Sequence, residues 1–330
     1  MTDVHLTIAC GPYDRTLGLR DGSVKPDGIE LTYIARQPAE IFWRMLQFQE
    51  FDVAELSLSN YASLVDRGDP QFVAIPVFPA RIFRHAFIFV NTDSGIREPR
   101  DLQGRRGGVP EYTMTAAVYA RGMLEHDYGV SPDTIDWVQG RPERMAIDLP
   151  AQIRISQAPP GRDLGEMLAE GEIDFLITAN NPVSFRQGNP KVARLFRDYK
   201  MVEKDYYLRT GVFPIMHTVA MQRRIYEQHP WAAANLYEAF YRAKERCYQL
   251  LRESGSSKAT LVWLQAAVEE EEAIFGQDRW PYGVERNRPS LDALLQYSFE
   301  QGLTTKLLRA EQLFPPSTLS DAPVGDGQLV

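Results

Sequence analysis

Residues 82 to 128, IFRHAFIFVNTDSGIREPRDLQGRRGGVPEYTMTAAVYARGMLEHDY, constrain the fold more than any other part of this chain. An apolar strand over Phe83 to Val90 runs out into a polar turn holding Asp93, Ser94 and Gly95. Pro99 and Asp101 then signal a short helix, Arg105 to Pro110 a glycine-flanked strand, and Thr113 onward a long amphipathic helix. That order reads as a hinge followed by the start of a βαβ unit. The helix of such a unit points its N-terminus into a cleft, where free backbone N–H groups and the helix dipole favour an anion. Glu111, Tyr112, Thr113 and Thr115 sit at that junction.

The flanking segments repeat the pattern. Residues 4 to 10 and 29 to 35 read as strands, and Pro38 to Gln47 carries Ile41, Trp43, Met45 and Leu46 at helical spacing. FDVAELSLSNYASLVDRG gives a strand that delivers Ser57, Ser59 and Asn60 to a helix start, where such groups either cap the helix or meet a ligand. Residues 72 to 78 and 82 to 90 would complete a first sheet. GVSPDTIDWV, AQIRISQ and GEIDFLITA supply strands of a second unit, with GRDLGEMLAEG as a helix, and the last of them ends in Ala179, Asn180, Asn181 and Pro182. RTGVFPIMHTVAM then returns as a strand, and HPWAAANLYEAFYRAKERCYQLLRE is a long helix expected to pack on the first unit. The expected architecture is α/β with two domains, residues 1–90 plus 211–330 and residues 91–210, each a mixed sheet flanked by helices. Two crossings make a hinge, and ligands of open α/β sheets collect at strand carboxyl ends facing such a crevice. Roughly the last ten residues read as a flexible tail.

Composition limits the partners. The 330 residues are 44% hydrophobic and carry a formal charge of −8, with no long Lys/Arg run, which argues against nucleic acid and anionic membranes. No apolar stretch approaches the roughly 20 residues needed to span a bilayer. The N-terminus enters a strand with no leader pattern, so a cytoplasmic location is expected. Cys10 and Cys247 lie far apart and suggest no disulfide framework. GxGxxG, Walker, HExxH, CxxC and GxSxG motifs are all missing, so no cofactor is required by the sequence.

Three groups of crevice candidates remain. Arg15, Arg81 and Arg84 could grip a dicarboxylate bidentately, or could be solvated surface arginines. Of five histidines, His5, His126 and His229 read as structural, solvated or capping, whereas His85 and His217 lie in strands that cross the hinge. Such histidines suit proton delivery, with partly buried structural roles as the alternative. Glu111, Tyr112, Thr113 and Thr115 at the helix start, Ser59, and Asn180 and Asn181 at the strand end are the polar set; the threonines could simply cap the helix. His85, Glu111 and His217 could together hold a divalent metal, although no motif demands one.

The hinge run VNTDSGIREPRDLQGRRGGVPEYTMTAAVYARGML and the later LAEGEIDFLIT resemble the type II periplasmic-binding-protein fold. FRHAFIFVNTDSGI with VPEYTMTAAVYARG, TGVFPIMHTVAM and FGQDRWPYGVERNRPSLDALLQYSFEQGL are more specifically similar to the 4,5-dihydroxyphthalate decarboxylase family, over nearly the whole chain to about residue 316. The resemblance implies a small aromatic dicarboxylate substrate, loss of carbon dioxide to give protocatechuate, and a homo-oligomer. The resemblance carries over no catalytic set; it is convergence on the inferred hinge that gives proton delivery to His217, polarisation of the phenols to His85 or Glu111, and the carboxylate to Arg15, Arg84, Thr113 and Thr115. A non-enzymatic binding protein for a carboxylate is the rival, since it would share the fold.

Overall fold

The computed structural model describes residues 3–68, 71–253, 255 and 258–320. The expected C-terminal tail falls at 321–330, outside the described residues.

One sheet contains β1 (Val4–Cys10), β2 (Ile29–Ala35), β3 (Val53–Ser57), β4 (Phe72–Ile75) and β11 (His217–Gln222), in the spatial order β2-β1-β3-β11-β4. Helices α1 (Leu17–Arg20), α2 (Pro38–Phe48) and α3 (Leu58–Asp66) connect its early strands. A second sheet contains β5 (Ile88–Asn91), β6 (Arg106–Val109), β7 (Asp136–Gln139), β8 (Arg154–Gln157), β9 (Phe175–Ile177) and β10 (Val192–Arg194), in the order β10-β5-β9-β6-β7-β8. With it go α4 (Thr115–Tyr128), α5 (Leu164–Glu170), α6 (Val183–Arg186) and α7 (Tyr199–Thr210). After β11 the chain is helical: α8 (Arg223–Gln228), α9 (Trp231–Arg252), α10 (Leu264–Phe275) and α11 (Arg288–Glu300).

Pairing within each sheet is parallel except where the chain crosses between lobes. β1 runs parallel to β2 and β3, whereas β11 is antiparallel to both β3 and β4. In the second sheet β6, β7, β8 and β9 are parallel, and β5 is antiparallel to β9 and β10. The crossing segments meet in a bridge between Arg81 and Ile215. Parallel strands covered on both faces need apolar side chains in both directions. β3 obeys this, with all five residues buried, and Glu55 at its centre is the exception that leads to the site.

The run over 82–90 departs from the expected strand. His85–Phe87 form a 3-10 turn, and β5 starts only at Ile88 and pairs in the second sheet, not the first. Arg84 and His85 interrupt the apolar alternation there, and both are buried against other elements instead of lying in a ladder. α9 packs on α1 and on the turn at Asp14–Thr16, and α11 packs on both α3 and α4 and so clasps the two lobes. Gly122 permits that clasp, because a Cβ there would collide with the ring of Tyr297.

Candidate active site

The carboxyl ends of β1, β3, β6, β7 and β9 all open onto one cavity of about 590 Å³ between the lobes. Its walls include Pro38 and Ala39 at the start of α2, Ser57 and Asn60 at the start of α3, and Thr115 and Ala116 at the start of α4. Three positive helix ends thus converge on one space. Five arginines (15, 81, 84, 141 and 144) line it with a single carboxylate, Glu111. Such a lining is rich in positive charge and suits an anion.

His217 stands at the first residue of β11, where the register places it opposite Ser57 at the end of β3. Its Nδ1 lies 2.5 Å from Glu55 Oε1 and its ring is edge-on to Phe42 with centroids 4.8 Å apart. Glu55 also accepts from Tyr13 Oη at 2.7 Å and Gly11 N at 2.8 Å, with Cys10 Sγ at 3.5 Å. Burial alone would push the Glu55 carboxyl up, but the charge of His217 and these hydrogen bonds outweigh it and hold the group below its usual range. With Nδ1 committed to Glu55, Nε2 is the nitrogen left for a ligand.

Arg15 is held flat between two rings, its guanidinium carbon 4.4 Å from the Tyr13 centroid and 4.0 Å from that of Trp280. Nε and Nη2 both donate to Pro79 O, and Nη1 reaches Asp14 at 3.0 Å. Trp280 is fixed in turn: its Nε1 donates to Phe78 O at 2.7 Å and its N–H to Tyr248 Oη at 2.6 Å. Arg84 is buried over the Phe87 ring, burial pushes its pKa down to about 9, and its Nη2 lacks a hydrogen-bond partner among the described residues.

Several expected site residues serve structure instead. Arg81 lines the cavity, but its guanidinium is spent on Asn287 Oδ1 at 2.6 Å, Phe213 O at 2.8 Å and Pro281 O at 3.2 Å, bracing the hinge against the segment before α11. His85 does not reach the cavity. Its ring sits among Phe196 and Tyr206, each 5.1 Å away, and burial aided by Arg209 and Arg84 pushes its pKa down to about 3, so it is neutral. The anion at Thr113 is the protein's own: Glu143 takes the Thr113 hydroxyl and also the Tyr112 N–H at 2.5 Å. Tyr112 is buried beneath the Arg121 guanidinium. Ser59 donates to Thr113 O at 2.7 Å, and Thr115 Oγ1 joins Ser57 Oγ at 2.9 Å and Ser59 N at 3.1 Å, knitting α3 to α4 across the lobes. Thr115 still borders the cavity, as does Asn180, whereas Asn181 accepts from Arg194 at 3.2 Å beside a neighbouring groove.

Glu111 borders the cavity, but Oε1 is engaged by Arg141 Nε and by Arg144 at 3.0 Å. The proposed metal triad of His85, Glu111 and His217 is therefore not assembled, since His85 lies elsewhere and two cations occupy Glu111. Among the described residues no cluster of three His, Cys, Asp or Glu could hold a metal ion. Both cysteines are free and buried. No helix among the described residues is long and apolar enough to cross a membrane.

A protein from Comamonas testosteroni named 4,5-dihydroxyphthalate decarboxylase is 38% identical over 325 residues, 97% of this chain and 98% of its own length. The chain belongs to the 4,5-dihydroxyphthalate decarboxylase family. A relative of the same name from Pseudomonas putida is 40% identical over 213 residues, covering 63% of this chain and 83% of that protein. Residues 28–149 match a family model described as an ABC transporter, phosphonate, periplasmic substrate-binding protein. Solved structures agree on the periplasmic-binding-protein fold. The alkanesulfonate-binding protein of Xanthomonas axonopodis pv. citri superposes with a TM-score of 0.55 at 13% identity, covering 96% of this chain and 99% of that one. The aliphatic sulphonate-binding protein of Escherichia coli gives 0.53 at 13% identity, covering 95% and 98%. In this decarboxylase family member, sequence reasoning missed Glu55, Tyr13, Phe42, Arg141, Arg144 and Trp280 as site residues. Glu55 did leave a signal, as the lone acid in an otherwise apolar strand.

Proposed function

We propose that this chain converts 4,5-dihydroxyphthalate to 3,4-dihydroxybenzoate and carbon dioxide, with His217 as the proton donor. The observation that carries the reading is the His217–Glu55 pair set in an arginine-lined cavity between the lobes. Glu55 orients the imidazole through Nδ1, leaving Nε2–H as the acid.

The substrate has its carboxylates on one edge of the ring and its hydroxyls on the other. Loss of the proton of the hydroxyl para to the departing carboxylate to solvent water lets that oxygen push an electron pair into the ring. The carbon bearing the carboxylate takes a proton from His217, giving a dienone. The bond to the carboxylate then breaks, its electron pair returns to the ring, and carbon dioxide leaves as the aromatic system and the phenolate are restored. His217 regains a proton from solvent. Arg15, braced by Tyr13 and Trp280, and the under-bonded Arg84 are suited to the negative charge that builds on the phenol oxygens. Asn180 and Thr115 are further polar contacts on the cavity wall. The reading goes with a small aromatic dicarboxylate as partner and a cytoplasmic location.

Purified protein incubated with 4,5-dihydroxyphthalate should show the ultraviolet spectrum of the product growing with time. His217→Gln should lower kcat by about 10²-fold or more, as loss of a general acid does. Saturable binding of the acid without product would favour a binding protein instead.

A further inference from the structure

We propose that Arg144, carried on the loop between β7 and β8, grips the carboxylate that the product retains, and that Glu111 is the positioning residue that aims it. The inference rests on the decarboxylase reading above and adds the residue that reads the second acid group.

The loop spans residues 140–153 with no helix or strand of its own. Connections this long are uncommon inside compact domains and accompany binding loops and lids. It is anchored on both lobes. Glu143 meets the start of α4, Gln47 of α2 reaches Arg144 O at 3.4 Å, and Met145, Ile147 and Leu149 pack on the core. Arg144 is thereby carried from the second lobe across to the first, where its guanidinium lies 5.4 Å from the centroid of Phe42. Phe42 is also the ring that meets His217 edge-on.

The Arg144 side chain is only 12% exposed, and Nε at 3.1 Å and Nη2 at 3.0 Å both face the same oxygen of Glu111. Nη1 makes no hydrogen bond among the described residues. Since Arg141 shares that oxygen, two cations answer the one carboxylate that lines the cavity. Of the other arginines, Arg84 keeps an Nη2 unpaired among the described residues and is assigned above with Arg15 to the phenol end, and Arg81 is locked at the hinge.

Chemistry separates the two carboxylates of the substrate. The departing group loses its charge on the way to carbon dioxide, so a cation bound to it would stabilise the ground state and slow the reaction. The retained group keeps its charge throughout, and a guanidinium there holds the ring in place at no cost to the barrier.

Three probes by titration calorimetry distinguish the roles: phthalate, which lacks the hydroxyls that drive the reaction; 3,4-dihydroxybenzoate; and catechol, which has no carboxylate. Arg144→Met should weaken the first two by about 10- to 100-fold, the loss expected for one charged hydrogen-bonded contact, and leave catechol unchanged. Arg144→Lys should recover part of that loss, because an ammonium supplies charge without the fork. Glu111→Gln should raise KM more than it lowers kcat, as a positioning role requires. If folded Arg144→Met and Arg144→Lys both bind 3,4-dihydroxybenzoate within threefold of wild type, the inference is overturned, and turnover by wild-type protein in that case leaves the decarboxylase reading standing. Arg144-dependent binding of phthalate by a wild-type protein that does not turn over 4,5-dihydroxyphthalate would instead sink that reading, and the retained-carboxylate role with it.

Discussion

Replacing Glu55 by Gln removes one charge from the interior and should be costly in two measurable ways. The carboxylate is fully buried and accepts from His217, Tyr13 and Gly11 at 2.5, 2.7 and 2.8 Å. A carboxamide has one acceptor oxygen, so its NH₂ must face at least one of these donors, at about 1–3 kcal/mol for each buried donor left unpaired. Stripping His217 of its counter-charge brings the total to about 3–5 kcal/mol, the range for breaking a buried ion pair from one side. That is a large share of the roughly 5–15 kcal/mol that holds a native protein together. The pH dependence gives the sign. Glu55 has its carboxyl held below the usual range, so it contributes stability above the unfolded-chain value near about 4.3, and that contribution fades as pH falls through the lower native value. Urea unfolding followed by tryptophan fluorescence should therefore show a gap of about 3–5 kcal/mol between wild type and Glu55→Gln at pH 7, narrowing below about pH 4. Turnover at pH 7 should fall by about 10²-fold as His217 loses its orienting partner. A gap under about 1 kcal/mol at pH 7, or one that widens in acid, would refute the assignment of Glu55 as a buried carboxylate paired with His217.

Two further perturbations test the scaffold. Gly122→Ala places a methyl group against the Tyr297 ring where α4 meets α11 and should cost about 1–3 kcal/mol in urea unfolding; a neutral result would mean that the clasp yields easily. Glu203, whose carboxyl burial pushes up to about 7 and which accepts from Ala86 N at 3.0 Å, holds its proton more tightly folded than unfolded. Wild-type stability should thus drop as pH rises from the ordinary carboxyl range through about 7, while Glu203→Gln stays flat, and parallel melting-temperature profiles between pH 5 and 8 would contradict this.

The two-sheet plan was legible because its strands and helices carry clean periodicity, and the crossings at Phe83–Val90 and at TGVFPIMHTVAM stand out as apolar runs between polar turns. What periodicity cannot supply is the direction in which a crossing segment presents each side chain. His85 and His217 look alike in one dimension, yet register puts His217 beside the end of β3 and a 3-10 turn buries His85 among aromatic rings. The helix was expected from Thr113, but α4 begins at Thr115, and the Tyr112 and Thr113 N–H groups ahead of it donate to Glu143, 30 residues later. Arg141 and Arg144 belong to a loop without periodic signal, and their link to Glu111 exists only once β6 and β7 lie side by side. The WPYGVERN stretch was recognisable before its use was: Trp280 braces Arg15 and Asn287 braces Arg81.

In the proposed reaction His217 protonates the ring carbon that carries the departing carboxylate. Turnover of 4,5-dihydroxyphthalate in deuterium oxide, with the product examined by proton NMR, tests it most directly. The expected product is 3,4-dihydroxybenzoate bearing one deuterium at the vacated ring carbon, formed by wild type and nearly abolished in His217→Gln. Binding of the acid without product, or full turnover by the His217 variant, would contradict it.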